Sequence, residues 1–189
     1  MDDSANILEE TLDARRVFDG ILLNIDHLTN RLPDGRTIQR EVARHIGASA
    51  ILPVDDDGNV WLVRQFRAPV GRALLEIPAG KLNDRGEDRL EAAKRELEEE
   101  TGLTAGSWVH LMDLLTTPGF SDEVIGLYLA RDLRPGRSHP DDDEFLNVVK
   151  VPFADLAAAV RRGEIPDGKT AVATLLAEGM LRSSRPDNQ

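Results

Sequence analysis

The sequence predicts an α+β protein, and three observations lead to that class. Short apolar runs punctuated by Pro, Gly and Asp fill the chain from about residue 15 to residue 66. Helical apolar spacing is confined to one segment ending at Thr101 and to the segment after Pro152. Strands and helices do not alternate as βαβ units would, so a mainly parallel α/β sheet is not expected.

The elements follow in order. "RRVFDGILLNIDHL" and "TIQREVARHI" read as strands separated by the turn signal "LPDG". "ASAILPV" and "VWLVRQF" flank "DDDGN", again an Asp-Gly turn, so antiparallel hairpins are expected. "LLEIPAG" is a short apolar run closed by Pro78 and Gly80, and a helix starts near Gly86. "WVHLMDLL" and "VIGLYLA" read as strands around the loop "TTPGFSDE". "RDLRPGRSHPDDDE" has two prolines and no periodicity and reads as a polar loop, after which "FLNVVKVP" returns to strand. "FADLAAAVRRGEI" and "GKTAVATLLAEGMLR" carry helical spacing, and "SSRPDNQ" is expected to fray.

Composition removes several function classes. At 189 residues, 41% hydrophobic and 30% charged, the chain suits one domain, or one domain with an appendage. No stretch approaches the roughly 18 continuous apolar residues of a membrane span. The N-terminal "MDDSANILEETLDARR" lacks the basic-then-apolar layout of a secretion signal, so a cytoplasmic protein is expected. Without cysteine there are no disulfides, zinc thiolates or thiol nucleophiles, and His27, His45, His110 and His139 are too scattered for a metal cluster. A formal net charge of -11 argues against general binding to nucleic acid. It would also repel an anionic substrate unless cations reverse the sign locally.

"GKLNDRGEDRLEAAKRELEEETGL", residues 80–103, holds eight acidic side chains. On a helix from Asp88 to Thr101, at about 100° per residue, Leu90, Ala93 and Leu97 form an apolar stripe facing the core. Glu96, Glu99 and Glu100 fall at i, i+3 and i+4 on an adjoining face, while Glu91, Lys94 and Glu98 point to solvent. Gly102 supplies the left-handed residue that stops the helix. An acidic run is usually a solvated face. Three carboxylates beside an apolar stripe repel one another, however, and a hard divalent cation removes the conflict.

Glu87, seven intervening residues and then "RELEEETGL" resemble the Nudix box, with Arg95, Glu96, Leu97, Glu99, Glu100, Gly102 and Leu103 in register. Six residues separate Gly80 from Glu87, one more than the family pattern, and the insertion falls in a loop where it is cheap. The resemblance implies a Nudix-type α/β/α sandwich around a mixed sheet, preceded by an N-terminal antiparallel strand region. It implies Glu96, Glu99 and Glu100 as ligands of Mg²⁺, with Mn²⁺ as an alternative, and the carbonyl of Ala79 completing the site. Arg95 and Glu87 would pair to orient the helix. Residues 1–47 would be a dimerising strand region, 48–183 the catalytic domain and 184–189 a flexible tail.

Other stretches look like the ADP-ribose pyrophosphatase branch. Pro118, in "TTPGFSDE", lies sixteen residues beyond Gly102, although a plain Pro-Gly loop would look the same. "VRQFRAPVGRALLEIPAGKL" resembles the branch's approach to the box, with Arg67 as the counterpart of a diphosphate-binding arginine and Arg64 second. Either could merely flank an edge strand. Arg40 and Glu41 match an Arg-Glu that contacts substrate, in some members across a homodimer. Phe18 stands where an adenine-stacking residue is common, or is a strand core residue. Glu144 in "HPDDDEFLNVVKVP" best matches the branch's general base, with Asp141, Asp142 and Asp143 as alternatives and a solvated acidic loop as the bland one.

The reaction implied is metal-dependent hydrolysis of ADP-ribose to AMP and ribose 5-phosphate. Rivals are a Nudix hydrolase of another nucleotide sugar such as GDP-mannose, or of a dinucleoside polyphosphate, and a non-catalytic ADP-ribose sensor. A purely structural acidic domain would leave the in-register box unexplained. No nucleic-acid or membrane partner is expected.

Overall fold

The computed structural model describes residues 7–137 and 145–183. The chain divides into two compact units, one formed by the residues up to Ile46 together with Leu115–Val124, the other by Gly47–Leu114 and the residues from Ile125 onward.

The first unit is a three-stranded antiparallel sheet in the order β1 (Glu10–Asp19), β2 (Asn24–Arg31), β3 (Thr37–Arg44). The apolar run "RRVFDGILLNIDHL", expected to be one strand, is two. It folds back at Asp19-Gly20, where the Gly20 N–H donates to the Leu23 carbonyl at 2.9 Å. A Cβ at position 20 would lie 2.5 Å from the Phe18 ring and 3.1 Å from the Leu23 carbonyl, so a larger residue would move the exposed ring aside. The Asp-Gly turn signal was present inside the apolar run and outranks its continuity. The 115–124 loop joins this unit: the Ala43 N–H donates to the Phe120 carbonyl at 2.7 Å, and Asp122 accepts from His45 N–H at 2.7 Å and Arg44 Nη1 at 3.2 Å.

The second unit holds two sheets. One has the order β10 (Leu146–Pro152), β5 (Asn59–Arg67), β6 (Arg72–Glu76), antiparallel throughout. The other has the order β7 (Ala79–Lys81), β4 (Ala48–Pro53), β9 (Val124–Pro135), β8 (Leu103–Leu115). β4 is antiparallel to β7 and parallel to β9, so this sheet is mixed. β9 runs to Pro135, so "RDLRP", expected in a loop, is strand; its proline falls at the strand's last residue, where a missing N–H costs least.

Strand alternation sorts the central side chains between two helical layers. Ala50 and Leu52 of β4, with Leu127 and Leu129 of β9, join a core completed by Leu156 of α2 (Phe153–Arg161) and Ala173 and Ala177 of α3 (Gly168–Ser183). Ile51, Tyr128 and Ala130 face the other way, onto Ala93 and Leu97 of α1 (Arg89–Thr101). This is an α/β/α sandwich, and α1 packs on β4 and β7. No helix among the described residues is long and apolar enough to cross a membrane.

α1 has well-defined ends. Asp88 Oδ1 accepts from the N–H groups of Leu90 and Glu91 at 2.9 and 3.1 Å, satisfying two orphan donors of the first turn. Gly102, at φ 68°, closes the last turn onto the Glu98 carbonyl at 2.9 Å. Glu98, expected to face solvent, is only half exposed and accepts from the Arg137 N–H at 3.2 Å. Replacing Asp88 by Ala removes the cap, and the expected loss is about 1 kcal/mol of stability, read as a lower midpoint in urea denaturation with an unchanged slope.

Candidate active site

Five consecutive residues, Glu76 to Gly80, link β6 to β7 and bring the site together. Between them they are tied to β4, β5, α1 and α3. The Ile77 N–H donates to Thr170 Oγ1 of α3 at 2.9 Å, and the Pro78 carbonyl accepts from Ile51 of β4 at 2.9 Å. The Ala79 N–H donates to Glu100 Oε2 of α1 at 3.0 Å. Gly80 faces Glu96 so closely that a Cβ there would lie 2.1 Å from its carboxyl carbon. A side chain at position 80 would displace the Glu96 carboxylate, so it is the approach of that carboxylate and not backbone φ that favours glycine here.

On α1, Glu96 and Glu100 are 8% and 2% exposed, and Glu99 is half exposed, so two of the three glutamates lie against the core. Arg95 spans the face. Its Nη1 donates to Glu96 Oε1 at 2.6 Å and to Glu99 Oε2 at 2.9 Å, and its Nη2 donates to the Lys81 carbonyl at 3.1 Å. Its Nε lies 3.4 Å from Glu87 Oε1. Burial disfavours the Arg95 charge, but the Glu96 carboxylate beside it, with the bonds to Glu96, Glu87 and Glu99, raises its pKa well above the usual value. Glu87 is held chiefly by its own loop, accepting from the Asn83 N–H at 2.5 Å and from Asn83 Nδ2 at 3.1 Å. These bonds close the loop that carries the extra residue.

The donor set suits a hard divalent cation. It is all carboxylate and carbonyl oxygen, and two of its carboxylates are buried where an unanswered charge is costly. Arg95 answers part of that charge, and among the described residues no three His, Asp or Glu side chains converge into a finished cage. A Mg²⁺ site does not need one, because substrate phosphates and water normally complete its coordination.

Arg67, at the end of β5, forms a fork with Glu76: Nε to Oε1 at 2.8 Å and Nη2 to Oε2 at 2.9 Å. Glu76 is 1% exposed, and Lys169 of α3 also donates to its Oε2. Neither Glu76 nor Lys169 was singled out from sequence, although an acid inside the apolar run "LLEIPAG" was a signal: a charge in a core needs a partner. Arg64 lies three residues away in the same strand, so alternation puts it on the opposite face, level with Asn147 and Leu75.

The remaining expected residues fall elsewhere. Phe18, Arg40, Glu41 and Pro118 belong to the first unit. There Phe18 is exposed on β1, Arg40 Nη2 holds Glu9 Oε1 at 2.5 Å, and Glu41 is 3.4 Å from His27. Pro118 lies exposed in the 115–124 loop. Glu144, with Asp141, Asp142 and Asp143, lies outside the described residues.

A buried helix face of glutamates organised by one arginine is the arrangement the Nudix box encodes, and the NUDIX domain family matches residues 43–172. This chain belongs to the Nudix family. Across 167 residues it is 40% identical to an ADP-ribose pyrophosphatase of Bacillus subtilis, covering 87% of this chain and 90% of that one. Across 172 residues it is 41% identical to an ADP-ribose pyrophosphatase of Mycobacterium tuberculosis, covering 89% and 82% respectively. Its fold matches a crystal structure of an ADP compounds hydrolase with a TM-score of 0.81 and 23% identity, over 93% of this chain and 95% of that chain. The Nudix fold expected from the sequence is therefore the fold found.

The Glu76 network has a pH signature. Burial pushes the Glu76 carboxyl up, but the Arg67 hydrogen bonds and the Lys169 charge outweigh it and hold its pKa below the ordinary value. A pKa lower in the folded than in the unfolded chain stabilises above the unfolded value, about 4.3, and loses that contribution as pH falls through the folded one. Glu76→Gln is expected to be less stable at neutral pH by about 3 kcal/mol. In denaturant titrations the gap from the parent should narrow steadily below about pH 4. A gap that stays constant into stronger acid would show that Glu76 is not the titrating group.

Proposed function

We propose that this Nudix protein is a Mg²⁺-dependent pyrophosphohydrolase that cleaves ADP-ribose to AMP and ribose 5-phosphate. The observation that carries the reading is the pair of buried carboxylates, Glu96 and Glu100, set against the Ala79–Gly80 backbone and organised by Arg95. Similarity to two ADP-ribose pyrophosphatases over most of the chain supports the substrate.

Glu96, Glu99, Glu100 and the Ala79 carbonyl would hold Mg²⁺, or Mn²⁺ in its place. When bound, the cation supplies Lewis-acid stabilisation of charge on the phosphoryl oxygens. The residues of the chain do the rest. Arg95 keeps Glu96 and Glu99 in register, and the Ala79 N–H fixes Glu100 through its Oε2. Arg67, fixed by Glu76, takes the diphosphate oxygens through the edge of its guanidinium outside that fork. Glu144 accepts the proton of the attacking water, with Asp141, Asp142 or Asp143 as substitutes. Arg64, Arg40, Glu41, Phe18 and Pro118 contribute to substrate binding, Phe18 by stacking on adenine.

The net charge of -11 ceases to be an obstacle in this reading, because the glutamates meet the substrate through a cation and Arg67 meets it directly. Purified protein incubated with ADP-ribose, GDP-mannose, diadenosine polyphosphates and dNTPs, with Mg²⁺ and with EDTA, tests it. AMP release from ADP-ribose, ahead of the panel and abolished by EDTA, is expected. Glu96→Gln and Glu100→Gln should each lower turnover by roughly a hundredfold or more with the fold retained by circular dichroism. Near-parental turnover in both at saturating Mg²⁺ would sink the ligand assignment. No turnover of any compound would favour a sensor.

The N-terminal strand region, residues 1–47, pairs with that of a second copy. Every residue of edge strand β1 is exposed, and Leu12, Val17 and Phe18, with Ile21, Leu22 and Leu23 of the turn, make an apolar surface that a monomer would leave in water. Light scattering on the eluting protein should give twice the 20.8 kDa chain mass; a single-chain mass would remove the second copy and any contact Arg40 makes through it. The protein works in the cytoplasm, consistent with a chain free of cysteine.

A further inference from the structure

The first turn of α3 carries polar side chains that the proposed reaction leaves unused. Asp167 caps the helix: its Oδ2 accepts from the Thr170 N–H at 3.0 Å and from Thr170 Oγ1 at 2.5 Å. Its Oδ1 accepts from Lys169 Nζ at 2.9 Å. Lys169 donates as well to Glu76 Oε2, the oxygen that also accepts from Arg67 Nη2. The Lys169 side chain is 11% exposed, and the side chain of Glu76 is 2% exposed.

Architecture alone does not call for a lysine there. Asp167 and Thr170 cap the helix without it, and Thr170 already ties α3 to the Ile77 N–H. Burying an ammonium costs desolvation, which a purely structural contact could avoid with an apolar side chain of the same length. Charge supplies the reason. Arg67 in a fork with Glu76 alone is a neutral pair and attracts a diphosphate weakly. With Lys169 on the same carboxylate, the acid still fixes Arg67, but its charge is divided between two cations. Asp167, which balances Lys169, spends its other oxygen on the helix cap. The Arg67 side chain remains 38% exposed, and Lys169 offsets part of the negative charge that Glu76, Asp167 and the buried Glu100 set around it; without Lys169 that surrounding would be more negative toward whatever reaches the edge.

We propose that Lys169 is a positioning residue which, acting through Glu76, sets the charge with which Arg67 meets the diphosphate of the substrate. The proposal rests on the reading of Arg67 as the diphosphate-binding arginine. Its test is a four-protein cycle: the parent, Lys169→Met, Arg67→Met and the double variant, assayed for kcat and KM on ADP-ribose, with thermal midpoints alongside. Lys169→Met is expected to raise KM about tenfold, with kcat within about twofold of the parent. In the Arg67→Met background it should add nothing further. An unchanged KM would overturn the proposal. So would an equal rise in both backgrounds, or a loss confined to kcat or to the thermal midpoint. If Lys169→Met does not fold, Lys169→Gln carries the same expectation. If the parent ignores ADP-ribose but cleaves another nucleoside diphosphate compound of the panel, the substrate reading fails. The cycle run on that compound still decides the role of Lys169.

Discussion

A carboxylate pressed against an apolar core must be answered by positive charge or by hydrogen-bond donors, and much of this molecule is arranged around that requirement. Glu76, Glu96 and Glu100 are all buried, and all three lie within or beside the Glu76–Gly80 segment. Glu76 takes its cations from β5 and α3, Glu100 a backbone donor from Ala79, and Glu96 the guanidinium of Arg95. Leaving one such charge unanswered would cost about 3–5 kcal/mol, a large share of a typical domain's stability. The sheets and helices of the second unit are therefore fastened to one another at the place where chemistry is proposed.

This arrangement separates two duties that acidic residues often share. Glu76 is fully engaged by protein cations, which suits a residue that holds another in place. The α1 glutamates are held by Arg95 and by the Ala79 N–H, a single guanidinium and a backbone donor shared among three carboxylates, which suits residues proposed to meet a cation. Gly80 is small because the carboxylate of Glu96 occupies the space its side chain would take.

What could be read from the sequence was whatever has a short period or a fixed spacing. The ends of α1, its apolar stripe and the register of its glutamates follow from the 3.6-residue repeat and from a motif whose positions are all local. The β1–β2 turn was missed because an Asp-Gly pair lay inside an otherwise apolar run, and the length of β9 because charged residues at an exposed strand end resemble a loop. Glu98 looked solvent-facing by helical angle, yet the Arg137 backbone reaches it. The pairing of Glu76 with Lys169 is a different kind of omission. No periodicity links residues 93 positions apart; only the fold brings them together.

That separation has a consequence during synthesis. A chain that has emerged only as far as α2 already contains β5, β6 and the whole of α1, yet Glu76 has one cation instead of two and Ile77 has no Thr170. The Glu76–Gly80 segment is then held by β4, β5 and α1 but lacks its ties to α3, and closing so long a loop is an entropic cost met only when α3 docks. A nascent chain would thus carry its complete glutamate helix for some time before the Glu76–Gly80 segment beside it is fully tied down, because the last tie arrives with a helix that the glutamate motif nowhere announces.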